Sequence, residues 1–272
     1  MAPDGLNAIL IQRIEVSPGL VILRVAPDGW ELPPFKAGQF GVLGLPGRAP
    51  RYRLADVESP PADPDALIRR SYSVASSSRD REYLEFYVNL VLSGALTPRL
   101  FALKPGDRLH LGPKLTGAFT LDSVPAEANL ALVATGTGLA PYMSMLRGEL
   151  LSDAPRRHVA VLLGARHSWD LGYRGELIAM ERLSPGFSYL PVISRPDEEH
   201  QPWPGRTGYV QDLWRAGALA ELWGFAPAPA HTHVLLCGNP GMIEAMSAML
   251  LAEGYRQHSR REPGQLHVER YW

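Results

Sequence analysis

The chain carries one cysteine, Cys237, in 272 residues. A lone thiol excludes an internal disulfide framework. It also excludes an iron–sulfur cluster held by the chain itself, which takes several cysteine ligands. Net charge is nearly absent: 27 Lys and Arg face 28 Asp and Glu, a formal balance of −1. No bulk field therefore argues for a nucleic-acid or membrane-surface partner. No apolar run approaches the roughly 20 residues that a membrane helix needs. The opening Met1-Ala2-Pro3-Asp4-Gly5 lacks the basic-then-apolar pattern of a secretory leader. The expectation is a cytoplasmic protein. Internal repeats and low-complexity tracts are missing too. What the chain does have is apolar material, 46% of it, enough for sizeable cores in one large domain or two ordinary ones.

The first half reads as β. Runs 6–16 and 19–25 flank Ser17-Pro18-Gly19, a hairpin signal. Runs 39–45, 70–76, 83–92 and 108–111 add four strands. One short helix is expected over 97–103, with Thr97 as N-cap and Pro98 at the first helical position. Six strands and one helix suggest a small antiparallel barrel. The stretch 46–67 is rich in Pro, Asp and Arg and has little periodicity. It reads as a long surface loop, functional or mobile. The second half alternates strand and helix: strands over 129–134, 158–164, 187–193 and 233–237, helices over 141–151, 175–183 and 241–253, and a helix start at 210–214. That alternation means a parallel sheet covered on both faces. Met242, Met246 and Met249 suit core packing better than a binding stripe. The expected fold is therefore a two-domain β plus α/β protein. An antiparallel six-stranded β-barrel over 1–121 precedes a doubly wound parallel α/β sheet over 122–272, with Asp122–Ala128 as linker.

Arg70-Ser71-Tyr72-Ser73 is the most informative stretch. Alternation along a strand puts Arg70 and Tyr72 on one face, Ser71 and Ser73 on the other. A planar guanidinium beside a flat ring suits a ligand with both a pyrophosphate and a ring system. An ordinary strand with an exposed Arg and a half-buried Tyr is the alternative. Thr135-Gly136-Thr137-Gly138 follows a strand and opens a helix, where free N–H groups attract phosphate. It is not G-x-G-x-x-G, because Ala140-Pro141 stands where the third Gly would be, and a structural turn is the competing reading. Arg166 with its neighbour His167, and Arg195, follow strand ends, where doubly wound sheets bind ligands. Two cations there suit a ribose 2′-phosphate; solvated surface arginines are the alternative. Arg48, Arg51, Arg53 and Arg69, with Arg256, Arg260 and Arg261, form either a solvated face or a basic docking ring for an acidic partner.

Five segments in order resemble the ferredoxin–NADP reductase family. Arg70–Ser73 matches its R-x-Y-S flavin signature. Gly94-Ala95-Leu96-Thr97-Pro98-Arg99-Leu100 is similar to its flavin-pyrophosphate loop. Ala134–Pro141 is similar to its nicotinamide-dinucleotide loop, and Leu236-Cys237-Gly238-Asn239-Pro240 to the segment facing the nicotinamide. Val268-Glu269-Arg270-Tyr271-Trp272 resembles the aromatic terminus of its bacterial members. The resemblance implies FAD on the first domain, held by Arg70, Ser71, Tyr72, Ser73, Tyr87, Ala95, Leu96, Thr97, Thr137, Tyr271 and Trp272. It implies NADP(H) on the second, held by Thr135, Gly136, Gly138, Arg166, His167, Arg195, Arg206, Tyr209 and Gly238. Ser73 would bond near the flavin N5, Cys237 would approach the nicotinamide C4, and Glu269 matches a carboxylate implicated in proton handling. Tyr271 would face the ring opposite Tyr72, with Trp272 near adenine. The family's third arginine, in T-G-R, is missing: Tyr209 follows Thr207-Gly208, and Arg206 stands on the other side. Tyr209 offers an adenine a stacking face instead. The implied activity passes a hydride from NADPH to FAD and single electrons to ferredoxin or flavodoxin. With a single cysteine, too few for a fused ferredoxin module, that carrier is expected to be a separate protein. A monomer is expected. The alternatives are a flavin reductase or oxygenase reductase component, and a non-catalytic flavin electron-transfer subunit of a larger complex.

Overall fold

The structure is a computed structural model that describes residues 5–150 and 157–270. The chain divides into two compact units. One comprises Met1–Thr120 with Met143–Gly148, the other Leu121–Tyr142 with Glu149–Trp272.

The first unit holds β1 (Ala8–Ser17), β2 (Leu20–Pro27), β3 (Phe40–Pro46), β4 (Leu67–Ser73), β5 (Leu84–Asn89), α1 (Thr97–Ala102) and β6 (Arg108–Leu111). The six strands form one antiparallel sheet in the order β4-β3-β6-β1-β2-β5. The hydrogen-bonded order is an open series. Just beyond β4, an isolated antiparallel bridge pairs Val74 with Phe86 of β5. The hairpin β1–β2 forms where the sequence places it, across Pro18-Gly19, with register shifts near Gln12 and Ser17. Leu10, Leu23, Val25, Leu43, Phe86 and Leu109 are fully excluded from water and build the core. Each such side chain contributes about 1.5–3 kcal/mol of burial.

Two polar knots sit in this apolar frame. Glu85, 1% exposed, accepts hydrogen bonds from Arg24 Nε and Arg147 Nη1, each at 2.7 Å. Arg147 Nη1 also donates to the Ala75 carbonyl at 2.9 Å. The second knot tethers the segment 47–66. Arg99, 2% exposed, donates through Nη1 and Nη2 to the two Glu58 oxygens at 3.0 and 2.9 Å. It also reaches the Gly47 carbonyl. Arg51 Nη1 adds a third contact to Glu58 at 3.2 Å. The Arg99 hydrogen bonds, with help from the Ala62 N–H and the Arg51 charge, outweigh burial and hold the Glu58 carboxyl down at about 2. The stretch is aperiodic, as its composition predicts, yet it is anchored from beneath by a buried guanidinium.

The second unit holds β7 (Asn129–Thr135), a 3-10 turn at Gly136–Leu139, α2 (Ala140–Met145) running into a π-helical turn at Leu146–Leu150, and β8 (Val159–Ala165). Met143–Gly148 of this helical run belong to the first unit. There follow α3 (Arg174–Leu183), β9 (Phe187–Ile193), β10 (Arg206–Thr207), α4 (Val210–Arg215), α5 (Ala218–Trp223), β11 (Thr232–Cys237), α6 (Pro240–Ala252) and β12 (Leu266–Glu269). All six strands are parallel, in the order β10-β9-β8-β7-β11-β12. The centre strands are near-continuous apolar runs, as a sheet covered on both faces requires. Met242 and Met246 pack in the core with Met249 against its margin, the packing role expected of them. Chain order runs outward from β7 to β10, then returns to β11 on the other side. The reversal lies between β7 and β11, the place where such sheets open a crevice at their carboxyl ends.

Two sequence expectations change. Helix α1 starts at Thr97, so its N-cap is Leu96. The Thr97 hydroxyl turns back instead, accepting from the Val91 N–H at 3.0 Å and contacting its carbonyl at 3.1 Å. The helix expected over 141–151 leaves α geometry after Met145. Among the described residues no helix is long and apolar enough to cross a membrane.

Candidate functional site

On the first unit, β4 pairs with β3 in the register Gly41↔Tyr72 and Phe40↔Ser73. Arg70 and Ser71 are exposed, Tyr72 is half-buried against the core, and Ser73 is 6% exposed. Arg70 Nη1 donates to the Arg69 carbonyl at 2.8 Å, which keeps the guanidinium at the surface. Burial pushes the Tyr72 phenol well above its ordinary range, and the Arg70 charge opposes this only in part. Tyr72 therefore acts as a neutral ring and hydroxyl. A cation, a partly open aromatic face and a buried hydroxyl thus follow one another on one strand.

The other predicted flavin residues are placed unevenly. Tyr87 is 3% exposed in β5, opposite Ile22. Leu96 lies in the core, so it has only backbone to offer a ligand. The Ala95 carbonyl accepts from Arg99, and the Thr97 hydroxyl is spent on Val91. Tyr271 and Trp272 lie outside the described residues. Arg51 leaves the suggested basic ring: its guanidinium serves Glu58 and the Gly94 and Asp56 carbonyls.

On the second unit, the loops after β7 and β11 interlock. The Asn239 N–H donates to Thr135 Oγ1 at 2.7 Å. A Cβ on Gly138 would stand 2.2 Å from the Cys237 carbonyl oxygen, so only glycine permits this approach. Gly238, at φ +135, would drive a Cβ to 2.3 Å from Thr135 Oγ1. Gly136 takes φ +54, and Thr137 is half-buried. The 3-10 turn that these residues begin has no side-chain cap. By contrast, Asn239 caps α6 with its side-chain amide oxygen, which accepts from the Gly241 N–H at 2.9 Å.

Cys237 ends β11 fully buried, its Sγ 4.0 Å from Glu269 Oε2, and the two residues are register partners between β11 and β12. Beneath them Tyr142 is fully buried. Its hydroxyl donates to the Leu235 carbonyl at 2.6 Å and lies 3.1 Å from that of Val133, linking the two strands that flank the crevice. Burial, and then the Cys237 and Glu269 charges, push its phenol well up. Sequence reasoning missed Tyr142. Its place directly after the glycine turn was the available signal.

The third group gathers at the ends of β8 and β9. Backbone bonds from Ser194 N to Ala165 O and from Arg195 N to Arg166 O, each 3.0 Å, tie the two loops together. Arg166 is exposed. Arg195 Nη1 lies 3.2 and 3.4 Å from the Glu198 oxygens. His167 contacts Asp170 through Nδ1 at 3.1 Å and Glu198 through Nε2 at 2.8 Å. Burial pulls the His167 pKa down, but the hydrogen bonds to Glu198 and Asp170 outweigh it and set the value above the usual 6.5. Trp169 stacks between His167 (4.4 Å, 9°) and His200 (5.0 Å, 24°). Arg206, in the strand beside β9, is exposed and 3.9 Å from Glu221. Tyr209 stands at the N-cap of α4 and is 60% exposed. The sequence reading found the cations of this cluster but not Trp169, Glu198, Glu199 or His200. The acidic run Asp197-Glu198-Glu199 directly after Arg195 was the visible clue.

Comparison with known proteins accords with this layout. Residues 132–248 match the oxidoreductase NAD-binding domain family. The flavodoxin/ferredoxin–NADP reductase of Escherichia coli is 34% identical over 242 residues, covering 88% of each chain. The ferredoxin–NADP reductase of Pseudomonas aeruginosa is 32% identical over 248 residues, covering 87% of this chain and 86% of its own. In fold, the chain is similar to a ferredoxin NADP+ reductase of Neisseria gonorrhoeae solved with bound FAD and NADP, with a TM-score of 0.80 over 98% of both chains at 23% identity. Identity at this level along nearly the whole length, on top of the interlocked glycine turns and the R-x-Y-S strand, means that the chain belongs to the ferredoxin/flavodoxin–NADP reductase family.

Proposed function

We propose that this protein is an FAD-dependent reductase that exchanges electrons between NADPH and ferredoxin or flavodoxin. We take 1–121 as the FAD domain, with its sheet closing into a barrel through the Val74–Phe86 bridge, and 122–272 as the NADP(H) domain. The residues present suit both groups. Arg70 and the half-open Tyr72 offer a cation and a ring face. The turn after Thr135 brings bare backbone, uncapped by any side chain, to the crevice of the parallel sheet. Bound FAD would supply the conversion between a hydride and single electrons. The chain's own residues bind and orient. Arg70 and Ser71 would hold the flavin's polar flank, Tyr72 would offer its ring a face, and the Ser73 hydroxyl would serve the atoms near N5. Arg166, His167 and Arg195 hold the 2′-phosphate of NADPH, and Arg206 and Tyr209 flank the nucleotide. Glu269 keeps a carboxylate next to Cys237, where a proton can be held near the reacting ring.

The observation that carries the reading is the packing of the Thr135–Gly138 turn on Cys237–Asn239, with Glu269 alongside. It gives the second unit a nucleotide loop and a thiol–carboxylate pair at one end of its sheet. The test is the visible spectrum of the purified protein, followed by anaerobic titration with NADPH. Released FAD and full bleaching by NADPH are expected. Recovery of FMN, or of no flavin, would overturn the cofactor assignment. Flavin that NADPH does not reduce would point to a non-catalytic electron-transfer subunit.

A further inference from the structure

Three carboxylates enter the cationic cluster at the ends of β8 and β9, and two of them have structural work. Glu199 accepts from the Ser168 N–H and hydroxyl, each at 2.6 Å, stitching one loop to the other. Asp170 accepts within its own loop, from His167 Nδ1. Glu198 differs. Its side chain is 55% exposed, and its oxygens face His167 Nε2 at 2.8 Å and Arg195 Nη1 at 3.2 Å. These are the two groups that the 2′-phosphate of NADPH would use. The imidazole is held in plane by its stack on Trp169, so Nε2 aims at this position whatever the carboxylate does.

We infer that Glu198 is a specificity-determining residue of the nucleotide site: its carboxylate takes the part of a phosphate between His167 and Arg195 and sets the balance between NADPH and NADH. The inference rests on the assignment of Arg166, His167 and Arg195 to the 2′-phosphate. A carboxylate accepts a hydrogen bond from a ribose 2′-hydroxyl but repels a 2′-phosphate. Glu198 must therefore swing out when NADP(H) binds, whereas it can stay and bond the hydroxyl of NAD(H). The swing is cheap, because an ion pair this exposed is weak. The phosphate then regains both cations with shorter, charge-assisted contacts. The result is a clamp whose preference for the phosphorylated nucleotide is real but blunted by its own acid.

Calorimetry on the purified protein with two non-redox probes tests this: adenosine 2′,5′-bisphosphate and adenosine 5′-monophosphate. Glu198→Gln should tighten the bisphosphate about fivefold, the worth of roughly one exposed charge pair. It should leave the monophosphate unchanged or slightly weaker. In turnover it should lower the KM for NADPH and raise that for NADH, with kcat preserved. The double variant Arg166→Ala, Arg195→Ala serves as the control, and should weaken the bisphosphate alone. If the control is selective but Glu198→Gln leaves the ratio of the two affinities unchanged, the role of Glu198 is overturned and the clamp stands. If the control weakens both probes alike, the clamp assignment falls and the role of Glu198 falls with it.

Discussion

Arg99 and Glu58, 41 positions apart, grip each other by both prongs of each group, with the guanidinium 2% exposed. A buried charge that loses its partner costs more than the pair ever contributed. Glu58→Ala, which strands the buried guanidinium, should thus destabilise the first unit by about 3 kcal/mol and release the segment 47–66 to proteolysis. The same pair sets a pH window. Glu58 is held at about 2 against an ordinary 4.5, so its contribution is complete above pH 4.5 and is lost as the pH falls from there towards 2. Glu58→Gln should lower stability at neutral pH and flatten the acid limb of the stability profile. Denaturation series across pH check both, and an unchanged acid limb would count against the pair.

Arg166 and Arg195 should contribute unequally to NADPH binding. Arg195 already faces Glu198, whereas Arg166 is open to solvent. Arg166→Ala should therefore raise the KM for NADPH more than Arg195→Ala does. The double variant should raise it by about one to two decades and barely move that for NADH. Steady-state kinetics with both nucleotides decide it, and equal effects on both would refute the assignment.

His167 should make NADPH binding pH-dependent. Burial opposes its charge, but Glu198 and Asp170, in direct contact, hold it cationic to above its usual 6.5; Glu199, Arg195 and His200 lie close by. As the pH rises through that elevated value the clamp loses a positive charge. The KM for NADPH should climb while that for NADH stays flat. His167→Gln should flatten the NADPH profile, and a pH dependence that survives the substitution would assign it to another group.

His267 should add a stability slope of the same sign as that of Glu58, at higher pH. It lies 6% exposed in β12, its Nε2 3.0 Å from His233 Nδ1 and its ring stacked on His258 at 4.7 Å. Burial, then the two neighbouring imidazoles, lower its pKa to about 3. Between 6.5 and 3 the unfolded chain binds a proton that the folded one refuses, so stability falls as the pH falls. The slope is about 1.4 kcal/mol per pH unit for this one proton. His267→Asn should reduce that slope between pH 6.5 and 5, measured by chemical denaturation or by amide exchange in β11 and β12.

The large repeating elements were legible in the sequence because each carries its own local signal. The strand over 187–193 and the strand over 108–111 match to the residue, and the others shift at their ends. What escaped notice was short or non-local. β10 has two residues and exists only because β9 offers an edge to Arg206 and Thr207. β12 has four, and becomes a strand by pairing with β11. Helix α5 was readable in principle: Gly217 and Gly224, both left-handed, bracket its six residues. In the site, the glycine turns and the cations showed themselves through motif spacing. Glu198 reaches His167 across 31 positions and Arg99 reaches Glu58 across 41, and no periodicity reports contacts of that kind. Thr97 misled for a related reason, since a threonine before Pro98 looks like a cap until Val91 claims its hydroxyl.

The buried Glu85 of the first sheet has a consequence for the order in which the chain is made. Arg24, which bonds it, precedes it, but Arg147 follows it by 62 positions. A nascent chain that has finished all six strands of the first sheet still lacks the Arg147 guanidinium that Glu85 will bond. Its sheet matures only once the start of the next unit has left the ribosome. A fragment cut at residue 121 would stay in that immature state permanently. The segment that looks like a module in the primary structure is therefore a poor unit for excision or grafting, because Met143–Gly148 of the later chain belongs to it.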